Sequence, residues 1–185
     1  MREKVQWLRI RGQGPYWFYG GQRSGLLSNR IFSKSIDWTF PFFDQDQELV
    51  LQALSNQEED GLELEKISFQ LLSEGVSSSS ILAPGEQDLF LVQGKEAKNI
   101  GLGIQSDENF AELKAYDRYG NLLGEGRTLF LEGGQDVFVL VRNQDPLKTM
   151  IYKPALVGLS SPDDTPEKET KRLLEEQMKT KGERR

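Results

Sequence analysis

Apolar and polar residues alternate along most of the chain, in short runs that turn residues interrupt. Residues 5–11 alternate in this way, Gly12 to Pro15 break the pattern, and residues 16–19 form a dense aromatic run. Alternation with a period of two predicts β-strands. Short strands with Gly, Asn and Asp turns every 8 to 12 residues or so are typical of sandwiches. We therefore expect an all-β protein of the β-sandwich or jelly-roll type up to residue 159.

Several segments of this pattern occur twice, in the same order. The matched pairs are residues 49–54 and 100–105, 68–75 and 119–126, and 85–92 and 133–140. Three echoes in one order predict an internally repeated β unit of roughly 50 residues. We expect an N-terminal unit over residues 1–94 and a C-terminal unit over residues 95–159, either as two packed sandwiches or as one fused sandwich.

The chain changes character over residues 160–185, where charged residues dominate. Thr165 and Pro166 suit the N-cap and first position of a helix. The apolar residues that follow, Leu173, Leu174 and Met178, form only a narrow stripe. Two interpretations remain open: a solvated or disordered tail, or a helix whose stripe docks in a partner's groove.

Composition narrows the classes of function. The chain has 185 residues, a net charge of −6 and no run near the ~20 apolar residues of a transmembrane helix. An acidic chain is a poor fit to nucleic-acid backbones and anionic lipid surfaces. The N-terminus lacks the apolar region of a signal peptide. We expect a cytoplasmic protein if Met1 is the true start, and an exported one if a leader was removed.

The chain has neither cysteine nor histidine. Disulfides, thiolate catalysis and a Ser-His-Asp triad within the chain are therefore excluded. The commonest general base and metal ligand is also missing. We expect no cofactor and no enzymatic activity, since an enzyme would have to rely on carboxylates, Lys, Tyr or Ser alone.

The aromatic run at residues 16–19 is the main binding candidate. On a strand, Tyr16 and Phe18 face one side and Trp17 and Tyr19 the other. We expect one side to fill the core and the other to offer Trp17 and Tyr19, with Trp7 nearby, to a protein partner or a sugar ring. Coverage of both sides by neighbouring segments is the plainer alternative.

Charged residues give weaker candidates. Asp44 and Asp46 could ligate calcium through carboxylate oxygens, although the spacing is not that of an EF-hand. With Glu48 they would be the default residues of a carboxylate-based hydrolase. Acidic residues that solvate a turn are the more economical interpretation. Arg9 and Arg11 belong to a scattered basic segment, which the net charge argues against as a nucleic-acid site.

One part of the chain resembles a known family. The segments concerned are residues 87–92, 100–104, 111–123 and 131–141, with a looser echo over residues 37–72. They are similar to the bacterial prepeptidase C-terminal domain, whose pattern includes a "Leu-x-x-Tyr-Asp-x-x-Gly-x-x-Leu" hairpin, here residues 113–123. The resemblance implies a non-catalytic jelly-roll β-sandwich, often attached to secreted proteins and sometimes calcium-binding.

Together these patterns predict a non-catalytic β-sandwich module that binds a protein partner within a larger assembly. The alternatives are a carbohydrate-binding module that uses an exposed aromatic face, and a carboxylate-based hydrolase.

Overall fold

The computed structural model describes residues 5–20, 30–32, 34–43, 49–53, 62–94, 99–106, 111–158 and 168–175. Within these ranges the chain forms sixteen β-strands, and its only helix, α1, covers residues 168–175. The fold is an all-β sandwich, which confirms the predicted class. The chain divides into two compact units: unit 1 contains residues 1–68 and 118–121, and unit 2 contains residues 69–117 and 122–185.

Unit 1 contains two three-stranded antiparallel sheets. Its strands are β1 (Val5–Gln13), β2 (Tyr16–Gly20), β3 (Arg30–Phe32), β4 (Ser35–Phe43), β5 (Leu49–Ala53) and β6 (Glu63–Ile67). Sheet 1 has the order β4-β1-β6 and sheet 2 the order β3-β2-β5. Pro41 lies in β4, an outer strand of sheet 1, where a residue without an N–H is tolerated.

The core of unit 1 is small and aromatic. Its buried residues come from β1, β2 and β4: Ile10, Tyr16, Phe18, Ile36 and Phe40, with Leu8 and Trp38 packed against them. Sheet 1 and sheet 2 therefore pack against each other through these side chains. The turn between β1 and β2 contains Gly14, whose φ of 120° falls in the region that favours glycine.

Unit 2 contains the remaining ten strands. They are β7 (Phe69–Leu71), β8 (Gly75–Val76), β9 (Ser80–Leu82), β10 (Gln87–Val92), β11 (Ile100–Ser106), β12 (Ala111–Asp117), β13 (Leu122–Gly126), β14 (Thr128–Leu131), β15 (Val137–Asn143) and β16 (Met150–Gly158). Sheet 3 has the order β13-β12-β15-β10-β7, and sheet 4 the order β14-β11-β16-β8. The short strands β9 and β8 pair with successive parts of β16.

The core of unit 2 lies between sheets 3 and 4 and is mainly aliphatic. Inward residues such as Phe90 and Val139 in sheet 3 belong to the same cluster as Leu102 and Leu156 in sheet 4. Strands β12 and β15 contribute alternate residues to this core, as expected for strands with one inward face. β16 pairs with β9 and β8 along the edge that faces away from β11. Pro154 interrupts neither pairing, because it lies between the residues that pair with β9 and those that pair with β8.

Two of the three pairs of repeated segments lie in sheet 3, whereas the pair 49–54 and 100–105 is divided, with β5 in sheet 2 and β11 in sheet 4. Strands β7 and β13, from one echo, form the two edges of sheet 3, and β10 and β15, from the other, pair in the middle. The boundary between the compact units therefore differs from the predicted one at residue 94, because β7 and β10 hydrogen-bond into a sheet of unit 2. Superposition of the predicted repeats stays a prediction.

The matched segments 85–92 and 133–140 align Phe90 with Phe138, and both side chains are buried. Phe90 is 4% exposed and Phe138 is 5% exposed. Their faces differ, because Phe90 lies opposite Val139 in the register, one residue out of step with Phe138. Phe90 therefore joins the central core, whereas the Phe138 ring packs edge-on against Phe69 at a centroid distance of 5.7 Å.

Candidate interaction surface

The aromatic strand β2 separates a buried face from an exposed one. Tyr16 is 2% exposed and Phe18 is fully buried, whereas Trp17 between them is 38% exposed. The predicted alternation is therefore confirmed for these three residues. The strand of Tyr19 is described, but its side chain lies outside the described part of the structure.

Interlocked aromatic rings fix the position of β2. The Phe18 ring lies edge-on to Trp38 at 5.0 Å and to Phe40 at 5.8 Å between centroids. Such edge-to-face pairs add stabilisation beyond the area that they bury. The Tyr16 hydroxyl also donates a hydrogen bond to the Gln13 carbonyl oxygen at 2.8 Å. Trp17 is therefore presented from a backbone that is anchored on both sides of it.

The sequence analysis places Trp7 on an exposed aromatic surface, and this prediction is wrong. It is 1% exposed, so its indole ring is part of the interior. The alternation along β1 explains the difference: Ile10 points into the aromatic core of unit 1, and Trp7 and Arg9 belong to the opposite face of sheet 1. The described part of the structure thus presents Trp17 alone among the three predicted binding residues.

Arginines and carboxylates form a ladder on that same face of sheet 1. Arg9, 1% exposed, donates two hydrogen bonds to the Asp37 carboxylate, at 2.8 and 3.1 Å, and its Nη1 lies 3.8 Å from Glu65. Arg11 lies 3.4 Å from both Glu63 and Glu65. Buried arginines are normally paired in this way. Two members of the basic segment, Arg9 and Arg11, therefore hold the strands of sheet 1 together.

The remaining predicted site residues are only partly covered by the structure. Asp44, Asp46 and Glu48 lie outside the described residues, and so does Met178. In the described ranges, no group of three or more acidic residues is arranged to hold a metal ion.

Leu173 and Leu174 are half-buried residues of α1, where Arg172 and Glu169 form an ion pair at 2.7 Å. No helix in the described ranges is long and apolar enough to cross a membrane.

A polar pair that the sequence analysis missed links the two sheets of unit 2. The Tyr152 hydroxyl, from sheet 4, donates a 2.6 Å hydrogen bond to the Asp88 carboxylate of sheet 3. Burial raises the pKa of Tyr152, and the hydrogen bond to Asp88 raises it further. A tyrosine held protonated in a core is a donor rather than a base, so this pair fixes the sheets and does not form a nucleophile. In the sequence, Tyr152 looks like any other core aromatic residue. Its hydrogen bond to Asp88 is seen only in the structure.

Comparisons with known proteins give distant likenesses only. No protein-family model matches the chain, and no curated protein matches it. Among solved structures, PliG of Salmonella Typhimurium, a periplasmic inhibitor of g-type lysozyme, has 11% identity and a TM-score of 0.35 over 49% of this chain and 98% of its own. Lac15 from a marine microbial metagenome has 9% identity and a TM-score of 0.32, over 88% of this chain and 50% of its own. Likenesses at this level carry no argument, and the resemblance to the prepeptidase C-terminal domain stays a prediction.

Proposed function

We propose that the protein is a non-catalytic β-sandwich interaction module that binds a protein partner within a larger assembly. The observation that carries the proposal is Trp17, which is 38% exposed between two buried aromatic residues. Tryptophan is among the residues most enriched at the energetic centres of protein interfaces. It combines a large contact area with few rotatable bonds, so little entropy is lost when a partner covers it.

The anchoring of β2 supports the same proposal. Phe18 and Tyr16 hold the backbone on either side of Trp17 through ring packing and a hydrogen bond. A preformed contact lowers the ordering cost of association. Trp17 also lies on the middle strand of sheet 2, opposite Ile31 of β3 and Gln52 of β5 in the register. Trp17 therefore projects from a paired strand rather than from a loop.

The exposed indole also supports a second candidate, a carbohydrate-binding module. A flat aromatic face packs well against the apolar face of a sugar ring, and Trp17 carries no charge that would oppose it. The two candidates differ in their ligand and share their surface. An experiment that presents both ligand classes to the same variants separates them.

The test uses the full chain as wild type, Trp17→Ala and a control, Phe130→Ala. Phe130 is an exposed aromatic residue of unit 2, at 52%, so its removal matches the loss of apolar surface without touching sheet 2. Each protein is used for pull-down from the native host and for binding to a glycan array. We expect Trp17→Ala to lose a protein that wild type and Phe130→Ala both retain, with affinity for that purified protein reduced by about 30-fold or more.

Other outcomes would point to a different function. Loss of a glycan signal in Trp17→Ala alone would replace the protein partner with a carbohydrate. Equal binding by all three proteins would contradict any role for the exposed indole. Reproducible hydrolysis of a substrate that Asp44→Asn or Asp46→Asn abolishes would overturn both binding candidates in favour of a hydrolase.

A further inference from the structure

Trp17 lies close to one end of sheet 2. Tyr16, the residue before it, pairs with Phe32 and Ala53, which are the last residues of β3 and β5. Trp17 therefore belongs to the second row from this end of the sheet in the described residues. Backbone at the end of a sheet opens more readily than backbone in its middle. The orientation of the Trp17 indole thus depends on what holds the start of β2.

The turn that leads into β2 is tied to the segment before β4. The backbone N–H of Gly14 donates to the Lys34 carbonyl oxygen at 2.7 Å. Gly14 has a φ of 120°, a conformation that residues with a side chain rarely adopt. Pro15 then restricts the backbone of the last residue before β2. A further contact, from β2 itself, fixes the turn on the side of sheet 2.

Tyr16 supplies this further contact. Its side chain is 2% exposed, and its hydroxyl donates a 2.8 Å hydrogen bond to the Gln13 carbonyl oxygen, three residues earlier in the chain. The ring lies beside the two glycines of the turn. A Cβ atom at Gly12 would lie 3.2 Å from the Tyr16 hydroxyl oxygen, and one at Gly14 would lie 3.7 Å from the ring. The missing side chain of Gly12 therefore leaves the room that the hydroxyl occupies.

We propose that Tyr16 is a positioning residue for Trp17: its hydrogen bond to Gln13 fixes the start of β2 and thereby the orientation of the exposed indole. The inference rests on the proposed function, because that function makes Trp17 the contact residue. Tyr16 is buried, so it acts through the backbone that it shares with Trp17. A partner then meets an indole that is already oriented, and less entropy is lost when the complex forms.

The experiment compares the full chain as wild type, Tyr16→Phe, Gly12→Ala and a control, Tyr152→Phe. Tyr16→Phe keeps the ring and removes only the hydroxyl. Gly12→Ala leaves Tyr16 intact and adds a methyl group beside its hydroxyl oxygen. Tyr152→Phe also removes a tyrosine hydroxyl with a hydrogen bond, at 2.6 Å to Asp88, but in unit 2. The control thus matches the chemical change without touching β2.

The first readout needs no partner. Each protein is produced with fluorotryptophan, and fluorine NMR records the Trp17 resonance, which Trp17→Phe identifies among the three tryptophans of the chain. We expect a shifted or broadened Trp17 resonance in Tyr16→Phe and Gly12→Ala, and the wild-type resonance in Tyr152→Phe. A role in fold stability alone would lower the thermal midpoint and leave this resonance of the folded protein unchanged.

The second readout is affinity for the purified protein that Trp17→Ala loses. We expect Tyr16→Phe and Gly12→Ala to bind it about 3- to 10-fold more weakly, which is the effect of losing one hydrogen bond. Tyr152→Phe should bind it within about 2-fold of wild type, because its hydrogen bond lies in the other unit.

Three outcomes would overturn the inference: a wild-type Trp17 resonance in Tyr16→Phe, an equal change of that resonance in Tyr152→Phe, or a changed resonance with unchanged affinity. Failure of the proposed function looks different, since wild type and Trp17→Ala would then bind equally well. In that case the resonance alone decides whether Tyr16 positions the indole.

Discussion

The two units stabilise their sheets by different means. Unit 1 packs a few aromatic rings between two three-stranded sheets and adds a ladder of arginines and carboxylates on the other face of sheet 1. Unit 2 encloses a larger aliphatic core and has a partly buried Tyr–Asp hydrogen bond between its two sheets. The difference teaches that a small sheet pair depends on a few large side chains and on ion pairs, whereas a larger sandwich shares its stability among many aliphatic contacts.

The largest test of this comparison removes one core ring from each unit. Phe18→Ala and Phe90→Ala each delete a buried ring, so we expect each to cost on the order of 3–5 kcal/mol. Hydrogen exchange measures where the loss falls. We expect faster exchange mainly in β1, β2 and β4 for Phe18→Ala and mainly in sheets 3 and 4 for Phe90→Ala. Equal acceleration throughout the chain in both variants would contradict two separate cores.

The next test breaks the ladder of unit 1. Asp37→Ala removes the partner that accepts two hydrogen bonds from the buried Arg9 guanidinium. Because the guanidinium stays buried, we expect the free energy of unfolding to fall by about 1–3 kcal/mol in a denaturant titration. Glu63→Ala is the matched control, since Glu63 is largely exposed and its ion pair within the described ranges is with the outer Arg11. A loss at Glu63 equal to that at Asp37 would show that burial of the pair does not matter.

A smaller effect is expected at the polar pair of unit 2, and it depends on pH. The pKa of Tyr152 is raised in the folded protein, by burial first and by Asp88 second. A raised pKa stabilises the fold below the unfolded value of about 10, and this contribution is lost as the pH rises above it. Tyr152→Phe should therefore lose about 1 kcal/mol at neutral pH and show a shallower decline in stability above about pH 10. Parallel pH profiles for the two proteins would contradict this.

The smallest effect is expected from the tail. Leu173 and Leu174 are only half-buried in α1, and the stripe that they form is narrow. Truncation after Leu159 should leave the thermal midpoint nearly unchanged. A fall of more than ~5 °C would mean that the tail packs on the sandwich.

The alternation of apolar and polar residues predicts most of the strands. It does not predict which strands pair with each other. The burial of Tyr16 and Phe18 and the exposure of Trp17 follow from a period of two, and the structure confirms them. Sequence does not reveal that β7 and β10 join sheet 3, because strand partners are distant along the chain. Alternation also defines two faces of β1 without saying which of them is covered. The sequence therefore does not predict the burial of Trp7.

The sequence also does not predict the hydrogen bonds that hold the turn between β15 and β16. Asn143, Asp145 and Pro146 are turn-forming residues, and Asx side chains that bond their own backbone are a known turn signal. That signal predicts a turn here. The burial of Asn143 and its bonds to Leu82 and Ala83, some 60 residues earlier in the chain, depend on strand pairing.

We propose that the chain binds a protein partner through the exposed indole of unit 1. The most direct measurement is a calorimetric titration of the captured, purified partner with wild type, Trp17→Ala and Phe130→Ala. We expect one saturable site, a loss of about 30-fold or more for Trp17→Ala, and an affinity within about 2-fold of wild type for Phe130→Ala. Equal affinities for all three proteins would contradict it.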